Sequence, residues 1–282
     1  MGGRTVGGHK SNGGRKKKSD LKVRLLTGGA LAVVAGILAY LGSSALFGLI
    51  LVLLLVAQGE FYLAVRRAGH RPATSLGLVA GATLLIAAYR RGMGSVPVVL
   101  FLTLALAFVW HAWGRSRDKA LADLGVTILG VAYVPLLASF AAAALSRHDG
   151  RAVVLATIGA AAVYDICAYA GGRAWGRRPL APRISPGKTR EGALVASASV
   201  IVATAVLAPL VGPWNVVEAA MLGALVCIVA PLGDLFESVL KRDLGLKDMG
   251  TILPGHGGVL DRIDAILFCV PASYLSLRLF NL

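Results

Sequence analysis

Nine stretches almost free of charge dominate this chain: residues 25–41, 45–57, 76–89, 96–110, 124–145, 152–164, 193–211, 216–232 and 263–277. Most reach, alone or with their flanks, the ~20 residues that carry a helix across ~30 Å of hydrocarbon. In that medium every backbone N–H and C=O must be satisfied within the chain, so runs of this length become helices. Of the 282 residues 56% are hydrophobic and 15% charged, against about 45–50% and about 25% in a soluble domain. The expected fold is an all-α polytopic membrane protein of about nine transmembrane helices. A disordered chain, a disulfide scaffold and a soluble nucleic-acid binder are excluded.

The net charge of +15 therefore has to be read against a bilayer. With nine spans and a cytoplasmic N-terminus, every Lys and Arg falls on the inner side except Arg90, Arg91, Arg147, Arg151 and Arg278. That is the bias of the positive-inside rule. Membrane lipids, not nucleic acid, are the partners this charge implies. Residues 1–22, with paired glycines and the run Arg15-Lys16-Lys17-Lys18, cannot bury a core. They are expected to be a disordered basic cytoplasmic tail with some attraction to anionic lipid; a signal peptide fits less well, because the basic stretch is long and a second apolar run follows at once. Cys167, Cys227 and Cys269 sit in apolar context without metal-ligand spacing and read as buried thiols.

Polar groups divide the remainder into a transmembrane scaffold half, 23–147, and a catalytic half, 148–282. In the first, Glu60 precedes Arg66 and Arg67 by about a turn and a half, and a structural ion pair is the expectation. The second holds Asp165, Glu191, Glu218, Asp234, Glu237, Asp243, Asp248, Asp261 and Asp264. An Asp at the centre of a membrane helix costs about 2.5–3.5 kcal/mol, so such residues mark function.

Pro231 and Gly233 interrupt the eighth run and predict a kink or break there. Beyond it, Asp234, Glu237, Ser238, Lys241 and Arg242 share one helical face. Lys247-Asp248 and Pro254-Gly255-His256-Gly257-Gly258 follow, and Asp261-Arg262-Ile263-Asp264 opens the last run. Glycines let backbone N–H groups approach an anion, and a helix N-terminus favours negative charge. Asp261 and Asp264, three apart, could cap that helix; with Asp234 added, and Glu237 in reserve, they make a carboxylate set suited to Mg²⁺ and phosphate oxygens. His256 serves equally well as a loop-stabilising imidazole or as a donor to phosphate or ribose.

Two upstream segments carry complementary groups. Asp165, Tyr169 and Gly172 form a polar stripe ending an apolar helix. Ser185-Pro186-Gly187-Lys188-Thr189-Arg190-Glu191-Gly192 then leads into the seventh span. It lacks the leading glycine spacing of a Walker A loop, yet its Ser185, Lys188 and Thr189 suit phosphate oxygens. On the topology above all these segments share the cytoplasmic face.

The pattern Ser238-x-x-Lys241-Arg242-x-x-x-x-Lys247-Asp248-x-Gly250-x-x-x-Pro254-Gly255-His256-Gly257-Gly258-x-x-Asp261-Arg262-x-Asp264 resembles the signature of the phosphatidate cytidylyltransferases (CDP-diacylglycerol synthases). The Asp165 stripe and the 185–192 loop are similar to that family too, with Gly187 where many members carry Lys. The resemblance covers roughly 160–270 and implies the reaction of CTP with phosphatidate to give CDP-diacylglycerol and pyrophosphate, in a bacterial inner membrane with the site on the cytoplasmic side. It also implies Mg²⁺, a second, monovalent cation such as K⁺, and a homodimer. On this reading Asp234, Asp261 and Asp264, with Glu237, hold metal, and Lys241 and Arg242 meet the lipid phosphate. Lys188 and Arg262 neutralise further phosphate charge, and Gly257 and Gly258 present N–H groups. Asp165, Tyr169, Ser185, Thr189, Glu191, Ser238, Lys247, Asp248 and His256 complete the substrate contacts. A CTP-dependent polyprenol or phytol kinase and, more distantly, a transporter are the competing readings.

Overall fold

The computed structural model describes residue 29 and residues 33–113, 119–253 and 257–280. The 1–22 tail lies outside them. A helix whose described part is 33–41 (α1) is followed by α2 (Ser43–Arg67), α3 (Thr74–Arg91), α4 (Val96–Ala112) and α5 (Ala120–Val131). A π-helical turn, Ala132–Leu136, links α5 to α6 (Leu137–Leu145). Then come α7 (Gly150–Trp175), a hairpin of β1 (Pro179–Ala181) and β2 (Ser185–Thr189), α8 (Arg190–Val211), α9 (Val216–Asp243) and α10 (Leu260–Leu279). The chain is a helical membrane protein. Among the described residues six helical stretches are long and apolar enough to cross a bilayer: α2, α4 with its preceding turn, α5 through α6, α7, α8 and α9. The described parts of the expected nine runs all fall in helices, but α3 and α10 lack that apolarity; α10 carries Asp261, Arg262 and Asp264 at its start.

Local sequence sets the boundaries. Pro97 enters α4 in its first turn, where its missing N–H costs nothing. Asn215 accepts from the backbone of Val217 and Glu218, and Glu218 reaches back to the Asn215 N–H, closing a capping box on α9. Glu218 is thereby accounted for as a cap. Thr189 ends β2 and caps α8 by accepting from the Gly192 N–H at 3.2 Å. The 185–192 segment, read as a loop, is in fact the second strand of an antiparallel hairpin, Ser185–Thr189, followed by the start of α8, with Ala181 opposite Ser185 and Pro179 opposite Thr189.

Small residues set how closely α7, α8, α9 and α10 pack as an antiparallel series. A Cβ on Gly192 would come 2.9 Å from the Gly172 N, and one on Gly223 would come 2.9 Å from the Ile201 Cα. Where hydrocarbon surrounds the helices there is no hydrophobic drive between them, and such close backbone approach supplies the packing. Outward faces stay apolar, as at Phe101, Leu104 and Phe108 on α4 and Leu194, Val202 and Val206 on α8. All three cysteines are free; Cys269 is buried, and Cys167 and Cys227 are half-buried.

The predicted break at Pro231 and Gly233 does not occur: α9 runs unbroken from Val216 to Asp243 with Pro231 inside. Gly233 has another use. A Cβ there would lie 3.0 Å from the Ala265 Cα, so the glycine lets α9 and α10 touch.

Gly223→Ala should cost about 1–3 kcal/mol through overpacking against Ile201. Gly159→Ala on α7 meets nothing within 4 Å and should be neutral or slightly stabilising, since Ala is the better helix former. Thermal unfolding in detergent compares the two.

Candidate active site

The Gly233 contact is where the acidic side chains gather. Asp234 and Glu237 project from α9 one turn apart, and Asp264 stands across the seam within hydrogen-bonding reach of both. Glu237 is wholly buried, and its Oε1 has no hydrogen-bond partner among the described residues. Three carboxyl groups this close repel one another unless they share a proton or a cation. The site is sunk roughly 14 Å from the end of α9, by the helical rise from Asp234 to Asp243.

Lys241, one turn beyond Glu237, ties the two helices together. Its Nζ donates to Glu237 Oε2 at 2.6 Å and to Asp261 Oδ1 at 2.9 Å. Asp261 also accepts from the Met249 N–H (3.0 Å to Oδ2) and the Gly258 N–H (2.9 Å). Its oxygens thus close the 249–261 loop and hold Lys241. The loop turns at Gly257, whose φ of +83° favours glycine, and Leu253 N donates to Gly257 O at 2.9 Å. His256 lies outside the described residues.

The second flank comes from α7 and the hairpin. Lys188 on β2 makes an ion pair with Asp234. The two line a pocket of about 170 Å³ together with Tyr164, Asp165, Tyr169 and Thr189. A larger cleft of about 560 Å³ is lined by Ile184, Ser185, Ser238, Lys241, Arg242 and Lys247, among others. Lys241 thus belongs to both the carboxylate cluster and the basic cleft. Arg242 reaches over to the hairpin, donating to Ile184 O at 3.4 Å.

Several expected contact residues also have structural work. Glu191 accepts from the Arg177 and Arg178 N–H groups at 3.0 and 3.2 Å, fastening the start of the hairpin. Thr189 caps α8. Gly172 is a packing glycine: a Cβ there would come 3.0 Å from Thr189 Oγ1. Tyr169 is exposed and its hydroxyl accepts from Arg173. Arg262 and Asp248 are exposed near the loop, Asp248 against Gly257.

Two residues of the first half enter the site against expectation. Glu60 makes no ion pair with Arg66 or Arg67; it is buried and accepts from the Leu260 N–H at 3.0 Å. The helix turns Glu60 inward and leaves both arginines exposed at the end of α2. Tyr133, on the π turn, packs against Phe236 with ring centroids 4.8 Å apart and planes tilted by 60°, and is buried among the charges of Glu237, Asp264 and Asp234. Its hydroxyl has no partner among the described residues. The only advance signal was Pro135, since a proline inside a helix favours such a widened turn.

Among the described residues no three His, Cys, Asp or Glu side chains are arranged to hold a metal ion. The donor chemistry nevertheless suits a hard cation: Asp234, Glu237 and Asp264 offer only oxygen, and Glu237 Oε1 is buried without a partner.

Fold and site define a helical membrane protein in which carboxylates and cations from four helices and a hairpin converge beside a cleft suited to phosphate groups. The chain belongs to the cytidylyltransferase family, whose profile matches residues 22–280. It is 41% identical over 157 residues to the phosphatidate cytidylyltransferase of Mycobacterium leprae (strain TN), covering 55% of this chain and 49% of that protein. To that of Mycobacterium tuberculosis (strain ATCC 25618 / H37Rv) it is 38% identical over 196 residues, 67% of this chain and 59% of the relative. The protein of the same name from Brucella suis biovar 1 is 46% identical over 114 residues, 39% and 41% of the two chains. The chain thus spans less than two thirds of the length of these curated relatives.

Lys241→Met would leave Glu237 and Asp261 as buried charges without their ammonium. It should destabilise the protein by about 3–5 kcal/mol, whereas Arg242→Ala, which loses one exposed contact, should stay within about 0.5 kcal/mol. Denaturation of the purified variants measures both.

Proposed function

We propose that this chain is a phosphatidate cytidylyltransferase, joining CTP and phosphatidate to give CDP-diacylglycerol and pyrophosphate. The observation that carries the reading is Lys241, which lines the basic cleft and at the same time bonds two carboxylates of the acidic cluster. Family membership and the names of the relatives support it.

The phosphate of phosphatidate is already anionic at neutral pH, so the nucleophile needs no general base. An oxygen of that phosphate attacks the α-phosphorus of CTP, the bond from the α-phosphorus to the bridging oxygen breaks, and pyrophosphate leaves with its electron pair. The barrier is the repulsion between two polyanions, which positioning and charge neutralisation lower. Lys241, Arg242 and Lys247, with the hydroxyls of Ser185 and Ser238, bind phosphate oxygens in the larger cleft. Lys188 can exchange Asp234 for a phosphate oxygen, and Asp165 and Thr189 face the smaller pocket where the nucleotide is placed. Asp234, Glu237 and Asp264 would hold Mg²⁺, which would supply neutralisation of phosphate charge. Asp261 keeps Lys241 and the glycine loop in place. The same reading carries nine spans, a cytoplasmic N-terminus, a site on the cytoplasmic face of a bacterial inner membrane, a homodimer and a second, monovalent cation.

Purified protein given CTP, phosphatidate and Mg²⁺ should release pyrophosphate, and omitting any one should stop it. CDP in place of pyrophosphate would instead mean a lipid kinase. Asp234→Asn should lower turnover about 10²-fold or more with an unchanged unfolding temperature; near-normal turnover would remove Asp234 from the reaction.

A further inference from the structure

We propose that Glu60, a residue of the scaffold half, is a positioning residue for the reaction: it caps α10 from another helix and so fixes the loop and first turn that hold Asp261 and Asp264. The helix needs such a cap. Its N-cap position is Val259, which offers no side-chain acceptor, and the first N–H groups of a helix have no partner within it. Glu60, 200 residues away in sequence, accepts from Leu260 at 3.0 Å through Oε2. A negative charge at this end is also favoured by the helix dipole.

The surroundings are shaped for that carboxylate. A Cβ on Gly250 would fall on the Glu60 side chain, 2.9 Å from its Cγ, and a Cβ on Gly258 would come 2.9 Å from its Cδ. Glycine at both positions is thus explained by room for Glu60. The mount is rigid as well. Gln58 donates to Gly77 O of α3 at 2.9 Å and Tyr62 donates to Thr127 O of α5 at 2.8 Å, so the turns either side of Glu60 are tied down. Asp261 accepts from Met249 and Gly258 in the same loop. Glu60 and Asp261 therefore grip the same stretch of backbone, Glu60 at Leu260 and Asp261 at Met249 and Gly258. It touches neither substrate nor cleft and acts only through that backbone.

The proposal rests on the cytidylyltransfer reading for its kinetic arm alone; backbone amide hydrogen exchange on the full chain tests it independently. In Glu60→Ala, exchange across 249–253 and 257–260 should rise about tenfold or more, with the middle of α9 unchanged. Pyrophosphate release should fall about 10²-fold in kcat, with KM for CTP and phosphatidate within about threefold. Glu60→Gln, which keeps a carbonyl oxygen for Leu260, should recover kcat to within about tenfold of the parent. Gly250→Ala should reproduce the Glu60→Ala loss, and the double variant should be no worse than Glu60→Ala alone, because both act on one contact. Unchanged exchange in the loop, additive losses in the double variant, or a kcat in Glu60→Ala within about threefold of the parent would each overturn the proposal. If Glu60→Ala does not accumulate, Gly250→Ala decides: parental exchange and kcat there overturn it. Absence of pyrophosphate from the parent overturns the reaction instead, and the exchange measurement then decides for Glu60.

Discussion

One ammonium group holds this protein's chemistry together. Lys241 sits between Glu237 of its own helix and Asp261 of the next, both carboxylates almost wholly out of solvent. A buried pair of this kind contributes little net stability over apolar packing, but losing one partner is severe. Its value here is geometric. It fixes the register of α9 against α10, and with it the distances among Asp234, Glu237 and Asp264. Gly233 makes the contact possible by removing the side chain that would hold the two backbones apart. Carboxylates from separate helices thus meet without any loop having to carry them.

The hydropathy pattern made the architecture legible. Apolar runs of membrane length leave helices as the outcome, and the described part of each run is helical. The local signals at Asn215, Thr189 and Pro97 also acted as their residue types imply. What misled was Pro231-Leu232-Gly233. The pair reads as a helix breaker in isolation, yet tertiary packing carries α9 through it and uses the glycine as a contact point. Sequence spacing speaks of neighbours on one helix; it says nothing of a helix crossing at that residue.

The site was legible to the extent that its groups lie close in the chain. Asp234, Glu237, Lys241 and Arg242 share a face by spacing alone, and they share the site. Partners distant in sequence were not visible. Glu60 looked paired with Arg66 and Arg67 because those are its sequential neighbours, and its true partner is the backbone of Leu260. Tyr133 carried no charge to draw attention. Asp261 was recognised as important but its oxygens serve backbone N–H groups, a use that residue type cannot reveal. Division into a scaffold half and a catalytic half also understates the first: α2 and the π turn both supply side chains around the acidic cluster.

The hairpin has a consequence for how the two ends of the site behave. On the carboxylate side the walls are helices in contact through glycine, with no slack to take up. On the phosphate side, one wall is a strand pair joined to α9 by Lys188 on Asp234 and by the 3.4 Å bond from Arg242 to Ile184 O. Both links are single cationic side chains, so charge joins this wall to α9 where close backbone packing joins the other.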